Sequence, residues 1–236
     1  MTDPPAANMG TRIDSTAATT GFSLSALVAD VNGDGKKDII MEGHTYKGAC
    51  NATWGADYEF KIMLNNAPGG AQTWSMASIN GANGTFFTLT SQPCTFGAGY
   101  TVGDLNHDGI NDIIIGNGNI TPGAASAAGS TYVIWGASNF SGGTYNNGSF
   151  DDSNTYKGTA WIRLDGDYAN ENAGDRVAVG DLDHDGKTDL AIAAPGNTPA
   201  SNSISGAGSI YVIWGGSGLN AEVTGGAITL ETLINR

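Results

Sequence analysis

The sequence predicts an all-β protein, and three observations support this. Glycine accounts for 36 of the 236 residues, about twice its usual share of roughly 7%, as is typical of chains with many tight turns. The apolar residues are mainly Val, Ile, Tyr and Trp in short runs, which favours short strands. No long stretch carries apolar residues at helical spacing. A chain of this length can form one domain with a substantial core, or two small domains.

A nine-residue acidic loop occurs three times, as DVNGDGKKD from Asp30, DLNHDGIND from Asp104 and DLDHDGKTD from Asp181. Each copy has an oxygen-bearing side chain at loop positions 1, 3, 5 and 9, has glycine at position 6, and runs into an apolar segment. The loops begin 74 and 77 residues apart (104 − 30 and 181 − 104). This fixed spacing indicates an internal repeat.

The segments around the loops repeat as well. AGSTYVIWG at 128–136 nearly equals AGSIYVIWG at 207–215, with the more divergent DYEFKIMLNN at 57–66 in the first unit. A fourth segment ends each unit, namely TFFTLTS (85–91), TAWIRLDG (159–166) and GAITLETLI (226–234). The sequence of each unit therefore predicts four short antiparallel strands, which together have the size of one β-propeller blade. The predicted organisation is a flexible leader at 1–21, then blade 1 at 22–93, blade 2 at 94–171 and blade 3 at 172–236.

The loop spacing is suited to a calcium ion, which takes six to eight oxygen ligands. Side chains at positions 1, 3, 5 and 9 and the backbone carbonyl at position 7 can converge if glycine at position 6 permits a sharp bend. We therefore expect about three Ca²⁺ ions, one per loop, and the tightest site in the third loop, where Asp183 adds a charge. The predicted ligands are Asp30, Asn32, Asp34, Lys36 and Asp38; Asp104, Asn106, Asp108, Ile110 and Asp112; and Asp181, Asp183, Asp185, Lys187 and Asp189.

Other readings of the loops are weaker. An EF-hand needs a bidentate Glu at position 12 and flanking helices, but that position holds Met41, Ile115 and Ile192. Asx-rich turns without an ion are a plausible alternative for one copy. Three copies with every ligand position filled favour a cation.

The surrounding pattern resembles the FG-GAP repeat of integrin α-subunit propellers. The third unit carries it best, as GDLDHDGKTDLAIAAPG at 180–196 followed by GAGSIYVIWG. The second unit has Gly116-Asn117 in place of Ala-Pro, and the first has Ala29 in place of the glycine before the loop. The resemblance extends over about residues 22–236. It implies structural calcium in the hairpin between the first two strands of a blade, and a propeller face that binds a ligand or partner.

Three blades are too few for a closed ring. Propellers generally have four to eight blades, and the family that this chain resembles usually has seven. Open blade edges expose unpaired strands. We therefore expect either that the chain is part of a longer protein or that another copy or chain completes the ring, with self-association through the open edges.

Charge and cysteine content bear on partners and location. The formal net charge of −13 argues against nucleic acid and anionic membranes, which require clustered Lys and Arg. No apolar run is long enough to span a bilayer. Cys50 and Cys94 predict one disulfide and an oxidising compartment, with two free thiols as the alternative. The chain begins without a secretory signal, so we expect a mature or trimmed form of an extracellular or cell-surface protein, or otherwise a cytosolic one.

No catalytic constellation is recognisable, because the chain contains no G-x-S-x-G elbow, phosphate-binding glycine loop or HExxH motif. The recurring Tyr132, Trp135, Tyr211 and Trp214 are predicted to pack in the core. The sequence thus predicts a non-enzymatic, calcium-binding segment that serves adhesion or binds a protein or glycan. The alternatives are a non-catalytic module of a secreted hydrolase, lyase or phospholipase, and a self-assembling surface or filament subunit.

Overall fold

A computed structural model describes residues 12–14, 20–51, 54–63, 73–75, 84–92, 99–122, 125–138, 148–149, 160–199, 204–216, 218–223 and 226–235. For several strands of the first half only the backbone is described. The strands are β1 Arg12–Asp14, β2 Thr20–Ala29, β3 Asp38–Asn51, β4 Trp54–Met63, β5 Thr73–Ser75, β6 Gly84–Gln92, β7 Tyr100–Gly103, β8 Asp112–Asn117, β9 Ser130–Ile134, β10 Gly148–Ser149, β11 Trp161–Asp165, β12 Arg176–Gly180, β13 Asp189–Ala194, β14 Ser209–Ile213 and β15 Ala227–Thr229. Two short helices follow β14, α1 at Leu219–Glu222 and α2 at Leu230–Ile234. The prediction of an all-β protein is confirmed to the extent that the described residues form fifteen strands and only two short helices.

The strands form several separate sheets. The first sheet has the order β10-β6-β4-β3-β2, the second β15-β11-β9-β8-β7, and the third β12-β13-β14. Strands β1 and β5 form a two-stranded sheet of their own. Neighbouring strands pair antiparallel, except that β10–β6, β15–β11 and β1–β5 are parallel pairs.

The first three strands of each repeat pair in the same register. The residue that closes each acidic loop lies opposite the residue before that loop, as in Asp189 opposite Gly180 and Asp112 opposite Gly103. The next residue pairs with the third strand: Ile39 with Met63, Ile113 with Ile134 and Leu190 with Ile213. The three loops therefore occupy equivalent positions, each joining the first two strands of a sheet.

The first and second units each form the four antiparallel strands predicted for them, and one short strand is added in parallel at the outer edge of each sheet. Among the described residues, the sheet of the third unit has only three strands. The segment 226–234 does not complete the third sheet. Only β15 is strand, and it pairs in parallel with β11 of the second sheet, with Arg163 opposite Ala227. The chain then enters α2 because Thr229 caps its first turn, accepting from the Thr232 amide, and because Leu230 is buried in the core. Within the predicted leader, Arg12–Asp14 form β1.

Two apolar cores lie between the three larger sheets. The first core, between the first and second sheets, contains Ile40, Ile62, Ile113, Ile115, Tyr132, Ile134 and Trp161. The second core, between the second and third sheets, contains Ile114, Val133, Trp135, Leu190, Ile192, Tyr211 and Ile213. Alternate residues of a strand face opposite sides of its sheet, so the second sheet is buried on both faces.

The prediction that the recurring aromatic residues form core holds for three of the four. Tyr132, Trp135 and Tyr211 are at most 5% exposed, whereas Trp214 is 58% exposed. Trp214 is the register equivalent of Trp135, but no other sheet among the described residues covers its side of the third sheet. Within the described part of the chain, neither helix is long and apolar enough to cross a membrane.

Candidate metal centre

The carboxylate at loop position 1 holds each loop in a tight curl. Asp30 accepts from the amides of Gly33 at 2.7 Å and Gly35 at 2.8 Å. Asp104 accepts from the Gly109 amide at 2.8 Å, and Asp181 from the Gly186 amide at 3.1 Å. The bond from position 6 back to position 1 is thus present in all three loops.

Positions 3 and 5 form successive Asx turns, in which a side-chain oxygen accepts from the amide two residues further on. In the third loop the Asp185 amide donates to Asp183 Oδ1 at 3.1 Å, and the Lys187 amide donates to Asp185 Oδ1 at 2.9 Å. The first and second loops have the same pairs of bonds, through Asn32 and Asp34 and through Asn106 and Asp108. These turns hold the backbone of each loop in a fixed conformation without a regular strand or helix.

Two positions of each loop adopt the left-handed backbone conformation. At position 6, Gly186 has φ of 86°, and a Cβ there would meet nothing within 4 Å, so glycine is favoured by its backbone conformation and not by lack of space. This confirms the bend predicted there. Position 4 is left-handed too, with φ of 60° at His107 and 62° at His184. The sequence contained a signal for this, since the same position holds Gly33.

The aspartate at position 9 has a structural role that the sequence analysis missed. Asp38, Asp112 and Asp189 are at most 1% exposed, and Oδ2 of each accepts from the amide of loop position 2, at 2.7–3.0 Å. Oδ1 of Asp112 accepts from the Gly136 amide at 2.8 Å, and Oδ1 of Asp189 accepts from the Gly215 amide at 3.0 Å. Each of these two carboxylates therefore joins its loop to the end of the third strand.

Burial dominates the electrostatics of this position in the second loop. Burial, with a smaller contribution from the charge of Asp108, raises the pKa of Asp112 from 3.8 to about 7 against the lowering effect of the amides of Gly136 and Leu105. A cation in the loop would favour the ionised carboxylate and oppose this shift. A positive charge added to this loop would therefore have a large effect on the ionisation of Asp112.

The third loop brings three carboxylates to one point. Asp181, Asp183 and Asp189 each offer an oxygen, and these oxygens lie within 4.8 Å of one another. Calcium binds oxygen at 2.3–2.6 Å, so two ligands on opposite sides of one ion are about 4.6–5.2 Å apart. Asp181 and Asp183 are exposed while Asp189 is buried, which leaves the cluster open to solvent on one side.

Asp185 is not part of this cluster. Its Oδ2 pairs with the Lys187 ammonium group, and this hydrogen bond holds the pKa of Asp185 below its ordinary value and that of Lys187 above it. The charges of Asp183 and Asp189 also raise the pKa of Lys187. The ammonium group therefore supplies positive charge beside the acidic cluster.

The described parts of the first and second loops hold no comparable group of three acidic side chains, because Asn32 and Asn106 occupy the position of Asp183. Metal binding by the side chains of these loops, and by the carbonyls of Lys36, Ile110 and Lys187, stays a prediction.

The predicted disulfide lies outside the described residues, which include neither Cys94 nor the side chain of Cys50.

A buried polar network around Glu171 also went unnoticed in the sequence. Glu171 is 0% exposed, and its Oε2 accepts from the amides of Asp167 and Tyr168, both at 2.9 Å. Its Oε1 accepts from the Tyr211 hydroxyl and from Asn197 Nδ2. Burial, followed by the hydrogen bond to Glu171, raises the pKa of Tyr211. The network ties the turn before β12 to β14 and to the segment after β13.

Comparison with known families agrees with this geometry. Residues 173–213 match the sequence model of the FG-GAP repeat, a segment that contains β12, the third acidic loop, β13 and β14. The predicted resemblance is confirmed for this unit. FG-GAP repeats are non-catalytic modules that occur in extracellular proteins. A search of curated proteins returned no significant match.

Proposed function

We propose that this chain is a calcium-stabilised FG-GAP β-propeller segment of an extracellular or cell-surface protein. Its ions have a structural role, and its surface serves adhesion by binding a protein or glycan partner, without catalysis. The observation that carries the proposal is the convergence of Asp181, Asp183 and Asp189 within 4.8 Å, inside the segment that matches the FG-GAP repeat.

The donor set supports calcium over other metals. Every side-chain ligand of the third loop is a carboxylate, and hard oxygen donors are preferred by Ca²⁺, whereas zinc sites are built mainly from Cys and His. Three carboxylates without a cation repel one another. An ion bound there removes this repulsion only in the folded loop, so binding stabilises the fold.

The position of the loops supports a structural role for the ion. Asp189 holds both the loop and the end of β14 through its two hydrogen bonds. A cation bound beside it would stiffen the joint between three strands of the third sheet. The same joint is present in the second sheet through Asp112, so an ion in each loop would stabilise each sheet in the same way.

Isothermal titration calorimetry, in which Ca²⁺ is added to the metal-free chain, tests the proposal. Extracellular calcium modules have dissociation constants of about 10⁻⁴ to 10⁻³ M, and we expect binding in this range. Asp183→Asn should weaken the tightest site, because it removes a charge and makes the third loop resemble the other two. Asp175→Asn is the matched control, since Asp175 is a partly exposed acidic residue outside the loops, paired with Arg176. Absence of calcium binding, or equal effects of the two variants, would contradict the proposal.

A further inference from the structure

Among the described residues, the third sheet lacks the outer strands that complete the other two. In the first sheet β4 pairs with β6, and in the second β9 pairs with β11. The corresponding outer edge of β14 pairs with no strand among the described residues. An exposed strand edge of this kind is a template for another strand.

Strands β1 and β5 are the matching outer pair. The two outermost strands of each five-stranded sheet are parallel, β10 with β6 and β15 with β11. The β1–β5 pair is parallel as well and stands outside the larger sheets. Placed beside β14, it would give the order β5-β1-β14-β13-β12, which repeats the order of the first and second sheets.

The correspondence extends to individual residues. β1 reads Arg12-Ile13-Asp14, and β11 contains Arg163-Leu164-Asp165. Both triplets pair with their parallel neighbours in the same way, Arg12 opposite Thr73 and Arg163 opposite Ala227. β1 therefore has the sequence and pairing of a fourth strand, but in the described part of the chain it pairs with none of the larger sheets.

The residue that faces the fourth strand is serine at the equivalent positions of the second and third sheets. In the second sheet Asp165 lies opposite Ser130, whose hydroxyl donates to Asp165 Oδ1 at 2.6 Å. Arg163 donates to the same carboxylate at 2.7 and 2.9 Å, in a largely buried ion pair. Ser209 of β14 is the equivalent of Ser130. A strand in the register of β11 would place Asp14 opposite Ser209.

A groove lies where this strand would enter. It has a volume of about 380 Å³ and is lined by Ile213, Trp214, Leu219 and Leu233, among others, between β14 and the two helices. In the second sheet the fourth strand begins opposite Ile134, and the equivalent of Ile134 is Ile213. The groove is therefore at the first pairing position of the missing strand.

The faces of the end sheets point to the same arrangement. Ile210 is 71% exposed on the third sheet, and Trp214 shares its face. On the second sheet the equivalent face, with Val133 and Trp135, is buried against the third sheet. At the other end of the chain Val28 is 61% exposed, whereas its equivalents on β7 and β12 pack against the two cores. Each half of a sheet-to-sheet contact therefore has an exposed apolar residue, Ile210 on the third sheet and Val28 on the first.

We propose that a second copy of this chain docks head-to-tail on the third sheet. Its β1 pairs antiparallel with β14, with Asp14 opposite Ser209, and its first sheet covers Ile210 with the face that carries Val28. Two copies provide six sheets, within the four to eight of closed propellers, and the two sheet-to-sheet contacts of such a ring are equivalent, because a twofold axis relates them. This inference goes beyond the proposed function and does not depend on calcium binding.

Sedimentation velocity of the full chain over a range of concentrations tests the docking. We expect a dimer that Ile210→Asp or Val28→Asp each converts to monomer, while circular dichroism shows that the variants stay folded. Asp14→Ala should weaken dimerisation at least tenfold. The control is Ile204→Asp, because Ile204 is 60% exposed but precedes β14, and it should leave the dimer intact.

Mixing the two face variants tests the head-to-tail geometry. Ile210→Asp leaves the Val28 face intact, and Val28→Asp leaves the Ile210 face intact, so an equimolar mixture should form a heterodimer through one sound contact. Larger polymers that the same substitutions abolish would also support the docking. A monomer at all concentrations, a dimer insensitive to both variants, or a mixture that stays monomeric would overturn it.

Discussion

Asp189 and Gly215 are joined by a hydrogen bond of 3.0 Å from the Gly215 amide to Asp189 Oδ1, across 26 positions of sequence. The other oxygen of Asp189 accepts from the Leu182 amide in the acidic loop. Asp112 makes the same pair of bonds in the second sheet. The last aspartate of a loop therefore supports the fold with or without an ion, and this separates it from the other predicted ligands.

Asp189→Ala should destabilise the protein whether or not calcium is present. The substitution leaves the partly buried amides of Leu182 and Gly215 without their acceptor, and each lost hydrogen bond costs about 0.5–1.5 kcal/mol. We expect a loss of at least about 1 kcal/mol in urea unfolding at neutral pH in EGTA.

Asp181→Ala is the matched comparison. Asp181 is exposed and bonds the Gly186 amide within an exposed loop, so its loss should matter mainly when calcium is bound. The difference in stability between calcium and EGTA should shrink in this variant. Equal costs of the two substitutions in EGTA would argue against the structural role of Asp189.

Lys187→Gln should tighten calcium binding at the third loop. The Lys187 ammonium group pairs with Asp185 and competes with an incoming cation for it. For an exposed charge in high dielectric the gain is modest, about two- to fivefold in dissociation constant. Calorimetric titration measures this, with Lys37→Gln in the first loop as control. A weaker site in Lys187→Gln would show that the lysine assists the ion.

Gly215→Ala should be strongly destabilising, because a Cβ at Gly215 would lie 1.8 Å from the Thr188 carbonyl oxygen. The backbone would have to shift, at about 1–3 kcal/mol or more. Gly180→Ala is the control, since a Cβ there meets nothing within 4 Å and Ala29 already occupies the equivalent position in the first unit. Urea unfolding of both variants checks this, and similar losses would contradict the close approach.

Tyr211→Phe should remove part of the alkaline loss of stability. The pKa of Tyr211 is raised in the folded protein above its ordinary value of 10.0, so the unfolded chain releases this proton first. Its stabilising effect is complete below pH 10 and is lost as pH rises above it. Between pH 9 and 11 in EGTA, the wild type should lose about 1–1.5 kcal/mol more than Tyr211→Phe. Parallel pH profiles would contradict this.

The repeat and its loops were predictable because their signals are local. Oxygen-bearing residues at fixed positions, glycine at position 6 and the apolar run after Asp189 depend only on short stretches of chain. The left-handed conformation at His184 could have been predicted too, since Gly33 occupies the same position. Local chemistry of this kind can be read without knowing which strands meet.

The rest depends on contacts between distant segments. The bond from Gly215 to Asp189 and the burial of Glu171 arise only once β14 lies beside β13. The segment 226–234 has strand-like residues, yet β15 joins the second sheet because pairing with β11 leaves Leu230 in the core. Trp214 repeats Trp135 in sequence, but no sheet in the described part of the chain covers it. The sequence repetition predicts the strands of a unit, whereas the burial of a side chain depends on which sheet packs against it.

The central claim is that calcium stabilises this fold, and thermal unfolding with and without calcium tests it most directly. With dissociation constants of about 10⁻⁴ to 10⁻³ M, each site contributes roughly 0.4–1.4 kcal/mol at 1 mM Ca²⁺. The melting temperature should therefore rise by at least about 3 °C between EGTA and 1 mM CaCl₂, and less with MgCl₂. The rise should be smaller in Asp181→Ala. A melting temperature that is the same in EGTA and in 10 mM CaCl₂ would contradict the account.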